Sequence, residues 1–476
     1  MRARLATPRR RPPRVGATTR RCVRPALDAD PRVRALAVLR RHGFNATSFQ
    51  TLEQGFRYWF DADDAACVAY ADTGSAWVVA GAPIAAAEQL AAVSARFQAA
   101  AALARRRVCY FAVEERMVAA KVGPALAIGA QPVWDPGAWA DTLRSSASLR
   151  EQIRRARAKG VTARVATAGE VADPGSPTRR AVEALIARWL AARDMAPMGF
   201  LVDVQPFDFA DERRYLLAER DGRLVGFLAA VPVYARDGWL FEDLLRDHDA
   251  PNGTSELLVD AAMRDAAGRG SAYVTLGLAP LGSTVHPRLR ALGALSSGLY
   301  DFAGLYRFKS KLKPHRWDPI HLVHPAGTPA ALALLDALTA FARGSLGRYG
   351  LRSLLRGPAV VVRALALLLA PWTALLLLAD PARWFVRAPL QGASVGLNIA
   401  LGVGLWALSR RWRPALATAL ALAVSLDAAV TLTHAAAFNL PRLRGAGDGL
   451  LVLVACLAPV VASAILWSAR ARLAPR

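Results

Sequence analysis

The feature that most constrains this chain is its last third. From about residue 357 the charged residues thin out, and four apolar stretches follow at 359–379, 389–408, 415–437 and 450–467. Each is close to the roughly 20 residues that an α-helix needs to cross about 30 Å of hydrocarbon. Four such stretches in succession predict an all-α, four-helix transmembrane region over 357–476. The high apolar content of the whole chain, 54% with mean hydropathy +0.22, has its source there.

Positive residues near span ends stay preferentially in the cytoplasm. Arg343, Arg348, Arg352 and Arg356 precede the first span, Arg410, Arg411 and Arg413 separate the second from the third, and Arg470, Arg472 and Arg476 follow the fourth. The other two loops carry only Arg383 with Arg387, and Arg442 with Arg444. The expectation is a multi-pass protein of the bacterial inner membrane, with the soluble part and both chain ends cytoplasmic. No apolar stretch precedes residue 50, so no signal peptide is expected.

The formal net charge of +24 predicts attraction to polyanions, whether nucleic acid or an anionic lipid surface. An arginine excess from GC-rich coding is the competing explanation. Lysines are scarce, only five in the chain, and Lys309, Lys311 and Lys313 are three of them. In a chain that otherwise uses arginine, this cluster points to a need for a compact ammonium rather than a planar fork, with chance clustering as the alternative. Cys22, Cys67, Cys109 and Cys456 lack the spacing of a zinc site and are expected as free thiols in a reducing compartment. His321 and His324 have no third ligand nearby, so they read as surface residues and no metal is expected.

Residues 1–28 contain nine arginines and almost no apolar periodicity, which predicts a disordered basic tail. Beyond it, strands are expected at 67–70, 76–80 and 108–113, with an Ala-rich helix at 86–104 between the last two. A second unit of the same kind follows. Helices near 149–159 and 178–193 lead to strands at 215–219, 224–233 and 238–243, a helix at 253–268 and a strand at 272–277. The order predicts an α+β protein of two similar units packed side by side, 29–145 and 146–325, with a linker or juxtamembrane helix over 326–356.

Ser148-Leu149-Arg150-Glu151 reads as a capping box that opens a helix running to Gly160. Arg150, Arg154 and Arg157 recur on one face of this helix, with Arg155 and Lys159 beside them. Such a face suits a phosphate backbone; a solvated helix face is the plainer reading. Further along stand Phe241-Glu242-Asp243-Leu244-Leu245-Arg246 and then Ala250-Pro251-Asn252-Gly253-Thr254-Ser255-Glu256. Acidic residues on a strand, a Pro-Asn-Gly turn and Glu256 in the next helical turn bring three carboxylates toward one place. The cluster is suited to hold a cationic amine or to polarise a hydroxyl, unless Asn252 and Glu256 only cap the helix. Gly277-Leu278-Ala279-Pro280-Leu281 forms a tight turn, and Tyr306-Arg307-Phe308-Lys309-Ser310-Lys311 is a basic, aromatic strip.

Taken in order, the segment Asp243 to Glu256, the Gly-Leu-Ala-Pro-Leu turn, the Arg-Phe-Lys-Ser-Lys strip, the basic helix from Leu149 and Met198-Gly199-Phe200 resemble the C-terminal synthase domain of the phosphatidylglycerol lysyltransferases. The similarity spans roughly residues 40–325. It implies two tandem acetyltransferase-like (GNAT-like) folds, and transfer of an aminoacyl group from aminoacyl-tRNA to a phosphatidylglycerol hydroxyl without metal or cofactor. It also implies roles for residues. Asp243 and Glu256, with Asp260, serve the amino-acid ammonium or the acceptor hydroxyl, and Arg246 and Lys309 serve phosphate or the developing oxyanion. Glu242, Asn252, Gly253, Gly277, Arg307 and Lys311 complete the substrate site, and Arg150, Arg154, Arg157 and Lys159 meet tRNA or phosphate. The expected partners are aminoacyl-tRNA, an anionic phospholipid and the membrane.

Two features depart from the family's pattern: the spans follow the synthase-like region instead of preceding it, and Gly81-Ala82-Pro83 stands where Gly-Asp-Pro is common. The second departure motivates one alternative, a non-catalytic membrane tether for tRNA or a protein partner. The other alternative keeps the fold but uses acyl-CoA; it lacks a Gly-rich pyrophosphate loop, and the acidic helix start at 252–256 would repel pyrophosphate. Inside the spans, Asp427 and His434 lie on one side of the third helix, and intramembrane ionisable groups are costly enough to suggest a headgroup or proton-handling role.

Overall fold

The protein is described by a computed structural model over residues 30–193, 196–280, 302–354, 358–410 and 413–473. The basic tail lies outside these residues, as do Leu281 and several of the span-flanking arginines. Helix α1 (Pro31–His42) starts at Asp30, whose carboxylate accepts a hydrogen bond from the Arg32 amide at 2.9 Å, with proline at the first helical position. Strands β1 (Arg57–Phe60), β2 (Cys67–Asp72) and β3 (Ala76–Ala80) form an antiparallel meander. Helix α2 (Leu90–Leu103) then returns the chain so that β4 (Arg107–Val113) pairs parallel to β3, and the long β5 (Ala125–Trp134) follows.

The second half repeats the device. After helix α3 (Ala147–Ala158), strand β6 (Thr162–Ala166) and helix α4 (Pro177–Ala191), strands β7 (Arg214–Arg220), β8 (Arg223–Val233) and β9 (Gly238–Arg246) run antiparallel. Helix α5 (Thr254–Gly268) crosses back, and β10 (Tyr273–Thr275) pairs parallel to β9. The short β11 (Ala279–Pro280), helix α6 (Phe302–Lys311) and β12 (Arg316–Val323) complete the unit.

The units are stitched rather than merely adjacent. One 12-stranded sheet runs in the order β1-β2-β3-β4-β12-β5-β10-β9-β8-β7-β6, with β11 on β5. Strand β5 of the first half pairs with β10 of the second, and β12 of the second half inserts between β4 and β5 of the first. Each half buries its own apolar cluster against its crossover helix, around Phe97 and Tyr110 in the first and around Trp134, Leu258 and Met263 in the second.

The expected capping box at 148–151 does not form. Helix α3 starts two residues earlier, from Ser146, and the Glu151 carboxylate is taken by Arg154 at 2.8 Å and Arg155 at 2.8 Å, because those long side chains reach it at helical spacing. Thr167 and Glu170 make a capping box instead. Nor is the histidine pair a surface feature: His324 is buried and His321 half-buried, since His321 lies on β12 inside the sheet and His324 directly follows that strand.

Beyond the sheet, helices α7 (Ala330–Phe341) and α8 (Leu346–Leu354) lead into α9 (Pro358–Leu378), α10 (Ala388–Arg410), α11 (Pro414–His434) and α12 (Ala446–Leu473). These last four are long and apolar enough to cross a membrane, at 361–378, 388–409, 414–442 and 446–470. They pack through Leu401, Leu405, Leu420, Val424 and Leu466, while leucines such as Leu367, Leu377 and Leu426 face outward, as a lipid environment allows. Arg383, between α9 and α10, pairs with Asp448 in the first turn of α12 at 2.7 Å, at one end of the bundle. Within it, the Ser425 and Ser463 hydroxyls lie 2.7 Å apart, and the His434 ring stacks on Phe438 at 5.4 Å.

Candidate active site

Strand β9 carries an irregularity that sets the site. Its register against β8 shifts so that Ala229 faces Asp243 while Ala230 faces Phe241, leaving Glu242 as the extra residue of a bulge. In a regular strand, neighbours point to opposite faces; a bulge relaxes this, and Glu242 and Asp243 both line one cavity of about 990 Å³.

The same cavity is lined by Arg246 at the end of β9, by Ser255 and Glu256 in the first turn of α5, by the Gly277 turn and by Lys309 of α6. All four residues expected to act on the reacting groups (Asp243, Arg246, Glu256, Lys309) thus meet in one space, joined by Glu242 and Gly277.

The acidic side is buried. Glu242 is paired with Arg213, and their side chains are only 4% and 2% exposed. Glu53, which sequence reading missed, sits with them; burial and the neighbouring charges of Glu242 and Asp243 raise its pKa well above the ordinary glutamate range. Burial also raises Asp243, the Glu242 charge adds to the effect, and Arg213 opposes it. Three carboxylates thus share one guanidinium, an arrangement that disfavours ionisation of all three at once. Among the described residues one oxygen of Asp243 makes no hydrogen bond, an acceptor suited to a cationic donor.

Lys309 lies opposite in character. Its ammonium donates to the carbonyls of Leu276 at 2.7 Å, Gly277 at 2.9 Å and Leu278 at 2.9 Å, which fixes the turn after β10. Gly277 holds φ +68 in that turn. Burial pulls the lysine pKa down to about 7, while the three carbonyls act in the opposite sense by requiring all three ammonium protons.

The remaining expected site residues lie elsewhere. Asp260 is buried in the core, where its carboxylate accepts from the Trp139 indole at 3.0 Å, Arg157 at 3.0 Å and Arg264 at 3.0 Å, so it is committed to packing α5 against α3. Gly253 holds φ +94 where a Cβ would come within 2.0 Å of the Gln152 carbonyl, so its role is the close approach of α5 to α3. Asn252 makes one long contact with Arg246 at 3.5 Å and caps nothing. Arg307 and Lys311 are exposed on α6 and do not line the cavity. On the basic face of α3, Arg154 is bound to Glu151 and Arg157 to Asp260, Arg150 donates to the carbonyls of Leu143 and Arg144, and Lys159 is exposed. This face stands outside the cavity, next to the start of α5.

A sheet built twice from meander, helix and parallel strand, with a buried acid cluster and a buried lysine at one cavity, is a tandem GNAT-like fold, and it carries four apolar helices at its C-terminal end. The chain belongs to the family described as phosphatidylglycerol lysyltransferase, C-terminal, whose model matches residues 36–324. Among solved structures it is similar to the C-terminal domain of a putative lysylphosphatidylglycerol synthetase from Agrobacterium fabrum, with 23% identity and TM-score 0.57 over 66% of this chain and 98% of that one. It is likewise similar to L-PGS from Bacillus licheniformis, with 22% identity and TM-score 0.57 over 66% and 97%. No curated protein matches the sequence.

Proposed function

We propose that the protein transfers an aminoacyl group from aminoacyl-tRNA to a hydroxyl of phosphatidylglycerol or a related lipid, at the cytoplasmic leaflet of a bacterial inner membrane. The observation that carries this reading is the shared cavity of Glu242, Asp243, Arg246, Glu256 and Lys309. A carboxylate with an open acceptor oxygen suits the ammonium of an aminoacyl group. Arg246 suits the lipid phosphate.

The donor ester is already activated, so the chain has only to position, move a proton and stabilise charge. The acceptor hydroxyl oxygen attacks the aminoacyl carbonyl carbon; a new ester bond to the lipid forms and the bond to the tRNA ribose oxygen breaks. Asp243, made a stronger base by burial, takes the hydroxyl proton, which ends on the ribose oxygen. Lys309 holds the 276–278 turn and adds positive potential at the developing oxyanion. The solvent-exposed arginines of α3, although paired within the chain, and the net charge of +24 suit the tRNA.

Lipid extracts from cells expressing the chain are expected to contain an additional ninhydrin-positive phospholipid, identified by mass spectrometry, that is missing with Asp243→Asn. Its absence from wild-type extracts, and from reactions given a full set of charged tRNAs, would overturn the proposal.

A further inference from the structure

The strip Tyr306-Arg307-Phe308-Lys309-Ser310-Lys311 is only half used by the cavity. Helix α6 presents Phe302, Leu305, Phe308 and Lys309 to that space. At helical spacing Arg307 and Lys311 project from its other side, where both are exposed. Beside them Lys313 is exposed in the link to β12, as is Arg316 at the start of that strand. Three of the chain's five lysines thus fall between 309 and 313, one turned inward and two outward. Among the described residues no carboxylate pairs with Lys311 or Lys313.

These cations surround an aromatic pair. Tyr306, at the flank of α6, stacks on Trp317 of β12 with ring centroids 4.7 Å apart and planes 27° from parallel, and both side chains are only half-buried. A stacked pair sealed in a core serves packing. One at the surface, ringed by ammonium and guanidinium groups, offers a flat seat for a further ring and cations for the phosphates beside it.

The patch continues toward α3. His315, just before β12, takes the Asp135 amide on Nδ1 at 3.0 Å, and its Nε2 lies 3.2 Å from the Thr142 hydroxyl of the short helix Trp139–Ser145. Arg144 is exposed at the end of that helix, and Arg150 of α3 donates to the Leu143 carbonyl at 2.6 Å. One basic track therefore runs from Lys311 and Lys313 past Arg144 to Arg150 and Arg154. The acids along it, Asp135, Asp141, Glu151 and Asp318, are fewer than the cations. Helix α6 packs through Phe308 into the cluster of α3 and α5, whereas α7, which leads into the spans, packs through Ala333 and Ala337 on the other face of the sheet. That separation favours a soluble polyanion over the bilayer.

Resting on the function proposed above, we infer that the outer side of α6 and the start of β12 form a platform for the unpaired 3′ end of the donor tRNA: a base stacks on the Tyr306–Trp317 pair, Lys311 and Lys313 hold the flanking phosphates, and the acceptor stem follows the track to α3. Only α6, about 10–12 Å across with its side chains, separates this platform from the cavity. The terminal ribose thus reaches Lys309 and Asp243 while the stem stays outside.

The test uses the full chain in phosphatidylcholine nanodiscs and two probes, uncharged tRNA with an intact 3′ end and the same tRNA trimmed of its unpaired 3′ nucleotides. Anisotropy titrations over a range of salt give affinity and salt slope. The intact probe is expected to bind about tenfold tighter than the trimmed one. Tyr306→Ala is expected to remove that advantage while the trimmed probe binds as before, which a folding defect would not do, and Tyr306→Phe to keep it. Lys311→Gln combined with Lys313→Gln is expected to lower the salt slope of log K by about 1.4, two single-strand phosphates at about 0.7 each. Equal binding of the two probes by the wild type would overturn the platform, as would a tenfold advantage kept in Tyr306→Ala or a slope unchanged by the lysine pair. So would loss of binding to phosphatidylglycerol vesicles in the lysine pair with both tRNA affinities kept, which would make the surface a membrane contact. The expected tRNA binding with no lipid modified by the wild type would remove the proposed reaction and leave the platform standing.

Discussion

Asp243 is placed where its charge costs stability and serves chemistry. Its carboxyl pKa is raised by burial and by Glu242, so in the folded chain it binds a proton that the unfolded chain has already released above about pH 4. Stability therefore falls as pH rises from that value through the raised pKa. Asp243→Asn removes this cost, and we expect it to abolish lipid modification while raising the thermal midpoint of the detergent-solubilised chain at neutral pH, by about 1–3 kcal/mol in stability. A lowered midpoint would show that the carboxylate is a structural member of the Arg213 cluster. Lys309 has the opposite sign. With its pKa lowered to about 7, the unfolded chain binds the extra proton between about pH 7 and about pH 10, so this residue adds stability as pH rises across that window. In Lys309→Met the window flattens and the three turn carbonyls lose their donor. Melts at several pH values check both, and a wild-type slope equal to that of the variant would contradict the lowered pKa. Lys309 stood out in the sequence because lysine is rare here. Glu53 and Arg213 did not, because each reaches the cluster from a distant segment and neither sits in a pattern that marks it.

At the scale of elements, periodicity and turn residues made the order from β7 to β10 visible in the second half and β2, β3, α2 and β4 in the first, with ends displaced by a few residues, whereas β1, β5, β6 and β12 were not anticipated. Partner choice was not visible. Nothing local in 125–134 or 316–323 distinguishes pairing within a half from pairing across halves, so the exchange of β5 and β12 emerges only from the assembled sheet. The bulge at Glu242 is of the same kind: sequence brought two acids together, and the register shift against β8 lets both face the cavity. The junction of α3 and α5 gives a direct test of how elements hold the site. Gly253→Ala meets both a positive φ and the Gln152 carbonyl, whereas Gly222→Ala meets a φ of +73 with nothing within 4 Å. The first is expected to cost roughly 2 kcal/mol or more and to lower transfer by shifting Ser255 and Glu256; the second costs about 1 kcal/mol and leaves transfer alone. Equal destabilisation by the two in thermal melts would mean that strain, not the helix contact, governs position 253.

For the whole molecule, the decisive question is on which side of the bilayer the cavity stands. Aminoacyl-tRNA is confined to the cytoplasm, so the proposed reaction requires the sheet, α7 and α8 to lie there. The arginine pattern argues for that side: the loop around Arg413 and the segment holding Arg343, Arg348 and Arg352 are the basic ones, while the loops at the end of the bundle where Arg383 pairs with Asp448 carry little excess positive charge. Two glycines in open space allow the point to be tested without altering any charge: Gly347 on α8 and Gly445 in the loop before the last span. In a background lacking Cys22 and Cys456, with Cys67 and Cys109 shielded by burial, Gly445→Cys is expected to react with a membrane-impermeant maleimide in intact cells. Gly347→Cys is expected to react only after permeabilisation. The reversed pattern would place the carboxylates and Lys309 across the bilayer from any charged tRNA, and no rearrangement within the cavity would restore the reaction.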